Sequence, residues 1–303
     1  MQRTLMRSIA RSLWSFWRQG TSVERTGYVV GTLLLASGLI HLAILVIGGG
    51  SWEGPLSLRK AMSFGLSFGL TLITITWVTS FVRLGDRRRA VLLGTFTAAC
   101  VLETALVTLQ AWRGVPSHYN TETAFDGLVA RALAGGGIVL VAIIAVLTLA
   151  SFRTKPTVPF SLRVATRAGF VALFASLLVG AVMIAKGMLL VFAGNPQAAY
   201  ITGGSLKPTH AVTMHAILVL PLLAWLLSFA DWTERQRVQV VLVGIAGYIV
   251  LAAVVAVENV AGVDPLRMPA AMVALFVLGT VALAAAGVVA MVAGSRTFRG
   301  EQS

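Results

Sequence analysis

The chain predicts an all-α fold, a polytopic transmembrane helix bundle of about eight spans with both termini in the cytoplasm. Three observations carry this. Of 303 residues, 57% are hydrophobic and 12% charged, about half the charged share of a soluble domain. Apolar runs of about 20 residues, the length that crosses a hydrocarbon core of about 30 Å, recur from end to end. Lys and Arg then alternate in density between connections. With the N-terminus inside, 17 fall on the cytoplasmic side and five outside, namely Arg59, Lys60, Arg113, Lys207 and Arg267. That asymmetry is the positive-inside pattern, and it requires an even number of spans.

Residues 1–26 form a basic amphipathic interfacial segment. Arg3, Arg7, Arg11 and Arg18 interleave with Leu5, Ile9, Leu13, Trp14 and Trp17, as in a helix lying on anionic lipid. No apolar stretch there is long enough for a cleavable signal. A single transmembrane bundle is expected over 27–295, with spans near 27–49, 61–84, 90–112, 125–150, 164–192, 210–230, 238–257 and 268–293, each end uncertain by several residues. A short cytoplasmic tail, 296–303, follows. In the second span, Ser63, Gly65, Ser67 and Gly69 make a smooth strip for close helix contact. No internal repeat marks an inverted-repeat transporter. The longest outer connection, 193–209, is expected to be ordered against the bundle. The net charge of +13 sits in short connections, which points to lipid rather than nucleic acid. Cys100 is the sole cysteine, so no disulfide forms within the chain, and it reads as a packing residue.

Ionisable groups within a membrane are costly, and their positions carry the functional signal. At about 1.5 Å per residue, His41 lies roughly 12 Å from the outer end of the first span and Glu103 roughly 13 Å from that of the third. Asp126 opens the fourth, with Arg131 about 8 Å deeper. Lys186 lies about 9 Å from the outer end of the fifth, and His210 opens the sixth with His215 about 8 Å below. All four histidines and the intramembrane charges thus fall in the outer half, which points to a polar cavity open to the extracytoplasmic side. Glu103 and Gln110 share a helix face. The segment Arg113 to Thr123, broken by Gly114 and Pro116, can fold over that cavity and bring His118 near Asp126.

Three segments belong together by resemblance: Trp52-Glu53-Gly54-Pro55-Leu56-Ser57-Leu58-Arg59-Lys60; Glu103 through Gln110 to Ser117-His118-Tyr119-Asn120 with Thr123 and Asp126; and His210 through His215 to Pro221-Leu222. In these the chain resembles an uncharacterised family of bacterial multi-pass membrane proteins. Family members carry Phe where this chain has Tyr119 and Pro where it has Ala61. The resemblance implies a bacterial inner (cytoplasmic) membrane protein and no particular activity.

Three functions follow from the residues. In a metal-dependent enzyme acting on a lipid-like substrate, His118, His210, His215 and Asp126 would hold zinc, copper or iron, with Glu103 and Asp126 as catalytic groups. The inventory is similar to that of alkaline-ceramidase-type hydrolases, although the helical histidine pair is five apart rather than four. In a haem b electron-transfer protein, His41 and His215 would be the axial pair. In a non-enzymatic ligand-binding protein, transporter, sensor or assembly subunit, Arg59, Lys60, Arg131 and Lys186 would hold an anionic ligand. Expected partners are membrane lipids and a membrane protein or a second copy of the chain. Each residue also has a plain structural use: a packing histidine at 41, an ion pair of Glu103 with Arg131 or Lys186, and a snorkelling Lys186.

Overall fold

The computed structural model describes residues 2–52, 54, 56–202 and 206–300, with side chains described except at 2–4, 200–202 and 295–300. These residues form α1 (Gln2–Gln19), α2 (Ser22–Gly48), α3 (Arg59–Thr79), α4 (Asp86–Trp112), α5 (Ala124–Ser151), α6 (Phe160–Phe192), α7 (Pro196–Thr202), α8 (Lys207–Leu227), α9 (Glu234–Ala261) and α10 (Ala270–Gly300). Eight of them, all but α1 and α7, are long and apolar enough to cross a membrane. The chain is a multi-pass helical membrane protein.

Several spans begin earlier than hydropathy predicts, and the reason is capping. Glu24 Oε2 accepts from the Thr21 backbone N–H at 2.8 Å and from its hydroxyl at 2.9 Å, so α2 starts at Ser22 rather than 27. Thr233 and Gln236 do the same for α9. These turns are polar yet helical, because the first N–H groups of a helix need acceptors. The connection 193–209 contains α7, which packs against α6.

Close packing comes from glycine. A Cβ on Gly65 would stand 2.6 Å from the backbone N of Gly38, and one on Gly69 would stand 2.5 Å from that of Leu35. The small-residue strip of α3 therefore seats directly on the α2 backbone. Helices α2 to α5 make one group and α6, α8, α9 and α10 another, joined where α5 meets α6 and α3 meets α8. A continuous apolar core, with Leu72, Ile75, Leu147, Phe170, Ile217 and Leu227 fully buried, runs through both.

The start of α2 and the C-terminal part of α10 lie at one end of the bundle, here the terminal end; the other is the distal end. Across the terminal end lies α1, in three faces. Leu5, Ile9, Ser12 and Phe16 face the bundle: Trp225 Nε1 donates to Ser12 Oγ at 3.3 Å, and Phe16 packs edge-on against Trp77 and Phe81. Met6, Leu13 and Trp17 form an exposed apolar face, and Arg7, Arg11 and Arg18 an exposed basic one.

The same end holds a buried ion pair that hydropathy does not register. Arg89 Nη1 lies 3.0 Å from Glu24 Oε1 and donates to Thr79 O at 2.9 Å, while Nη2 donates to Val82 O at 3.1 Å. One guanidinium thus ties the start of α2, the end of α3 and the start of α4. Removing one partner of a buried pair strands the other charge, at about 3–5 kcal/mol. Arg89→Met should lower the unfolding midpoint in detergent accordingly, and Arg89→Met with Glu24→Gln should recover part of the loss. A wild-type midpoint for the single variant would show that the clamp does not hold the bundle.

Candidate functional site

The connection from α4 to α5 folds down at the distal end. Its anchor is Asp126, in the first turn of α5. Oδ1 accepts from Gln110 Nε2 at 2.9 Å and Arg113 Nη1 at 2.6 Å, and Oδ2 accepts from the Thr123 hydroxyl at 2.6 Å. Arg113 also donates to Gln110 Oε1. Both carboxylate oxygens are spent on closing the loop, with Thr123 capping α5 by accepting from the Asp126 N–H at 3.1 Å. Asp126 is a structural lock here rather than an open ligand.

Within the loop, Ser117 and Asn120 are buried. Tyr119 has φ +63°, a conformation that is uncommon for a residue with a side chain and is a mark of local constraint. What holds it is α6: the Tyr119 ring lies where a Cβ on Gly187 would otherwise sit, and its hydroxyl donates to Met183 O at 3.3 Å. Burial raises the Tyr119 hydroxyl above the ordinary phenol value. The Asn120 side chain accepts from the Glu122 N–H at 3.0 Å, while its buried Nδ2 has no partner.

This fold brings His118 onto α3. Lys60 Nζ donates to His118 Nδ1 at 3.2 Å, and the Ser117 hydroxyl lies 3.0 Å from the same nitrogen. The imidazole packs edge-on against Phe64. Lys207, at the start of α8, lies within charge–charge range of Lys60, His118 and Arg59. Arg59 stacks over the Trp52 ring at 5.7 Å, and Ser57 steadies the turn before α3 by accepting from the Arg59 N–H at 3.1 Å. Glu53 and Pro55 of that motif lie outside the described residues. Two cations, Lys60 of α3 and Lys207 of α8, thus act on the imidazole that the α4–α5 loop supplies, with Arg59 in charge range of Lys207.

The nearest described acid in charge range of Lys60 is Glu103 on α4. Its expected ion pair with Arg131 or Lys186 is not formed. Glu103 is 4% exposed, its Oε1 has no hydrogen-bond partner, and it lies against Gly136 of α5, where a Cβ would overlap it. Arg131 and Lys186 instead stand exposed on the outer surfaces of α5 and α6. Lys186 lies about 9 Å from the end of the 33-residue α6, where a long side chain can reach toward lipid headgroups.

The other histidines do not join His118. His41 donates from Nδ1 to Ser37 O at 2.7 Å and accepts at Nε2 from Trp112 Nε1 at 3.0 Å. An indole is a donor only, so the tautomer is set and both ring nitrogens are occupied. His210 turns toward α6, with Nδ1 2.8 Å from Ser176 O. His215 is exposed on another face of α8, and its Nδ1 donates to Ala211 O at 2.6 Å. Nor are His41 and His215 level: Gly38 backs onto Gly65, which sets His41 about 10 Å distal of the middle of α3, whereas His215 adjoins that middle. Among the described residues, no three of His, Cys, Asp and Glu group so as to hold a metal ion. Lys207 escaped the sequence reading because it resembles any charge at a span end, and only the approach of α8 to α3 reveals its partners.

No protein-family model matches the chain, and neither the curated proteins nor the solved structures yield a match.

Burial, then the charges of Lys60 and Lys207, hold His118 well below the ordinary imidazole value of 6.5. As pH falls through about 6.5, the unfolded chain takes up a proton before the folded one does. The contribution of His118 to stability is therefore complete above about pH 6.5 and is lost below it. Unfolding midpoints should fall more steeply from about pH 7 to about pH 5 in the wild type than in His118→Gln. Parallel slopes would mean the imidazole is not held neutral.

Proposed function

We propose that this chain is a non-enzymatic ligand-binding membrane protein, a transporter, sensor or assembly subunit, that takes an anionic group at its distal, extracytoplasmic end. The observation that carries this reading is the environment of Lys60. Its ammonium hydrogen-bonds an imidazole rather than a carboxylate; Glu103 is the acid in charge range and is not within ion-pair contact, while Lys207, itself near Arg59, adds positive charge. A half-buried ammonium in a low-dielectric setting calls for a counter-anion. Lys60, Lys207 and Arg59 supply charge-assisted donors for a carboxylate or a phosphate, and Ser117 supplies a hydroxyl. The inward-folded loop, held by Asp126 and Tyr119, presents His118 to that cluster.

The metal-dependent enzyme reading asks more of the geometry. It needs His118, His210, His215 and Asp126 around one ion, whereas both oxygens of Asp126 are engaged within the loop and the two α8 histidines face different neighbours. The haem b reading needs a free nitrogen on His41, and both are engaged. The ligand-binding reading uses the arrangement as it stands. We place the chain in the bacterial cytoplasmic membrane, as the charge asymmetry and the resemblance imply.

Binding of inorganic phosphate and of a short-chain phosphatidic acid to the protein in mild detergent tests this, the two probes separating a soluble ligand from a lipid headgroup. At least one should bind saturably and weaken as salt rises. Lys60→Met should reduce its affinity about tenfold or more, the worth of a charge-assisted bond. Equal binding by the wild type and the Lys60→Met, Lys207→Met double variant would overturn the reading.

A further inference from the structure

The seam between α3 and α8 holds a second polar site, separate from the cationic cluster. A cavity of about 20 Å³ opens there, lined by Ser67, Thr71 and Thr74 of α3 and Met214 and His215 of α8. Ser67 Oγ lies 3.7 Å from Met214 Sδ, and Gly69 is the middle residue of α3. The cavity is therefore within about 3 Å of the mid-plane of the span. His215 is exposed there, so an imidazole of α8 lies open near mid-span beside the α3 hydroxyls and the Met214 thioether. Intramembrane groups of that kind mark ligand sites.

The hydrogen-bond pattern specifies what the site accepts. His215 Nδ1 is committed to the Ala211 carbonyl, which leaves Nε2 of the neutral ring as an acceptor. Ser67 donates only to a thioether, a weak acceptor, so its proton is readily redirected to a better oxygen. The cavity has room for about one water-sized group and not for a ring. An oxygen that both donates, to His215, and accepts, from Ser67, satisfies the site; that is a hydroxyl. A carbonyl oxygen meets only half of it. A phosphate or carboxylate does not reach the mid-plane, and no cation lines the cavity.

We propose that this seam binds the hydroxyl of a neutral membrane-dissolved amphiphile, a phenol, quinol or long-chain alcohol, whose body lies in the lipid beside α3 and α8. A quinol, with hydroxyls, is therefore held more tightly than the corresponding quinone, with carbonyls. A decyl-substituted benzoquinol and the same compound oxidised to the quinone are suitable probes, titrated anaerobically into the purified protein with direct binding and the unfolding midpoint as readouts. The quinol should bind saturably and at least tenfold more tightly than the quinone. His215→Leu should lose at least tenfold in quinol affinity while leaving phosphate binding at the Lys60 cluster unchanged. Comparison of the two oxidation states needs no variant and so does not depend on how His215→Leu folds. Equal affinity for quinol and quinone, no saturable quinol binding to the wild type, or unchanged quinol binding by a folded His215→Leu protein would each overturn the proposal.

Discussion

Hydrocarbon offers no hydrogen bonds, and every other feature of this molecule follows from that constraint. Backbone N–H and C=O groups must be paired within the spanning segment itself, so the chain crosses as uninterrupted helices. Among the described residues, irregular backbone lies at the two ends of the bundle. Polar side chains face the same demand one by one, and the structure separates those that meet it within the fold from those that do not.

Arg89 with Glu24, Asp126 with Gln110, Arg113 and Thr123, and His41 with Ser37 and Trp112 are closed sets. Each joins two or more elements, and each leaves little capacity for a ligand. The remainder includes Lys60 facing an imidazole, Glu103 and Asn120 each with an unpartnered buried atom, and His215, which lines the seam with one nitrogen committed. Function is sought among the second set because desolvating a polar group without a partner costs about 1–3 kcal/mol in stability. A bound ligand is one way that cost is offset.

The two ends of the bundle solve different problems. At the terminal end, α1 and the Arg89 clamp tie helices together, with Phe16 and Trp225 bridging α1 to both halves. At the distal end, the α4–α5 loop is locked down by Asp126 and by the Tyr119 ring on Gly187. Its positive-φ residue is tolerated because α6 fixes the ring from the other side.

The eight apolar helices were legible from the sequence, because span length and hydrophobicity are local properties that need no knowledge of neighbours. Also legible was the small-residue strip of α3, since its spacing repeats along one helix face. His215, placed in the outer half by counting about 1.5 Å per residue, instead lies beside the middle of α3, and Glu24 pairs with Arg89 at the opposite end. Rotation about a helix axis, however, is set by packing. The grouping of His118, His210, His215 and Asp126 rested on shared depth, and the structure directs those side chains to the α3 lysine, α6, the seam and the loop respectively. Lys207 and the buried Arg89 were invisible as partners because both lie in polar span ends that look alike in one dimension. Span length and apolar character were determined by the sequence alone; the level at which a group sits and the partners it meets were decided by how the helices pack.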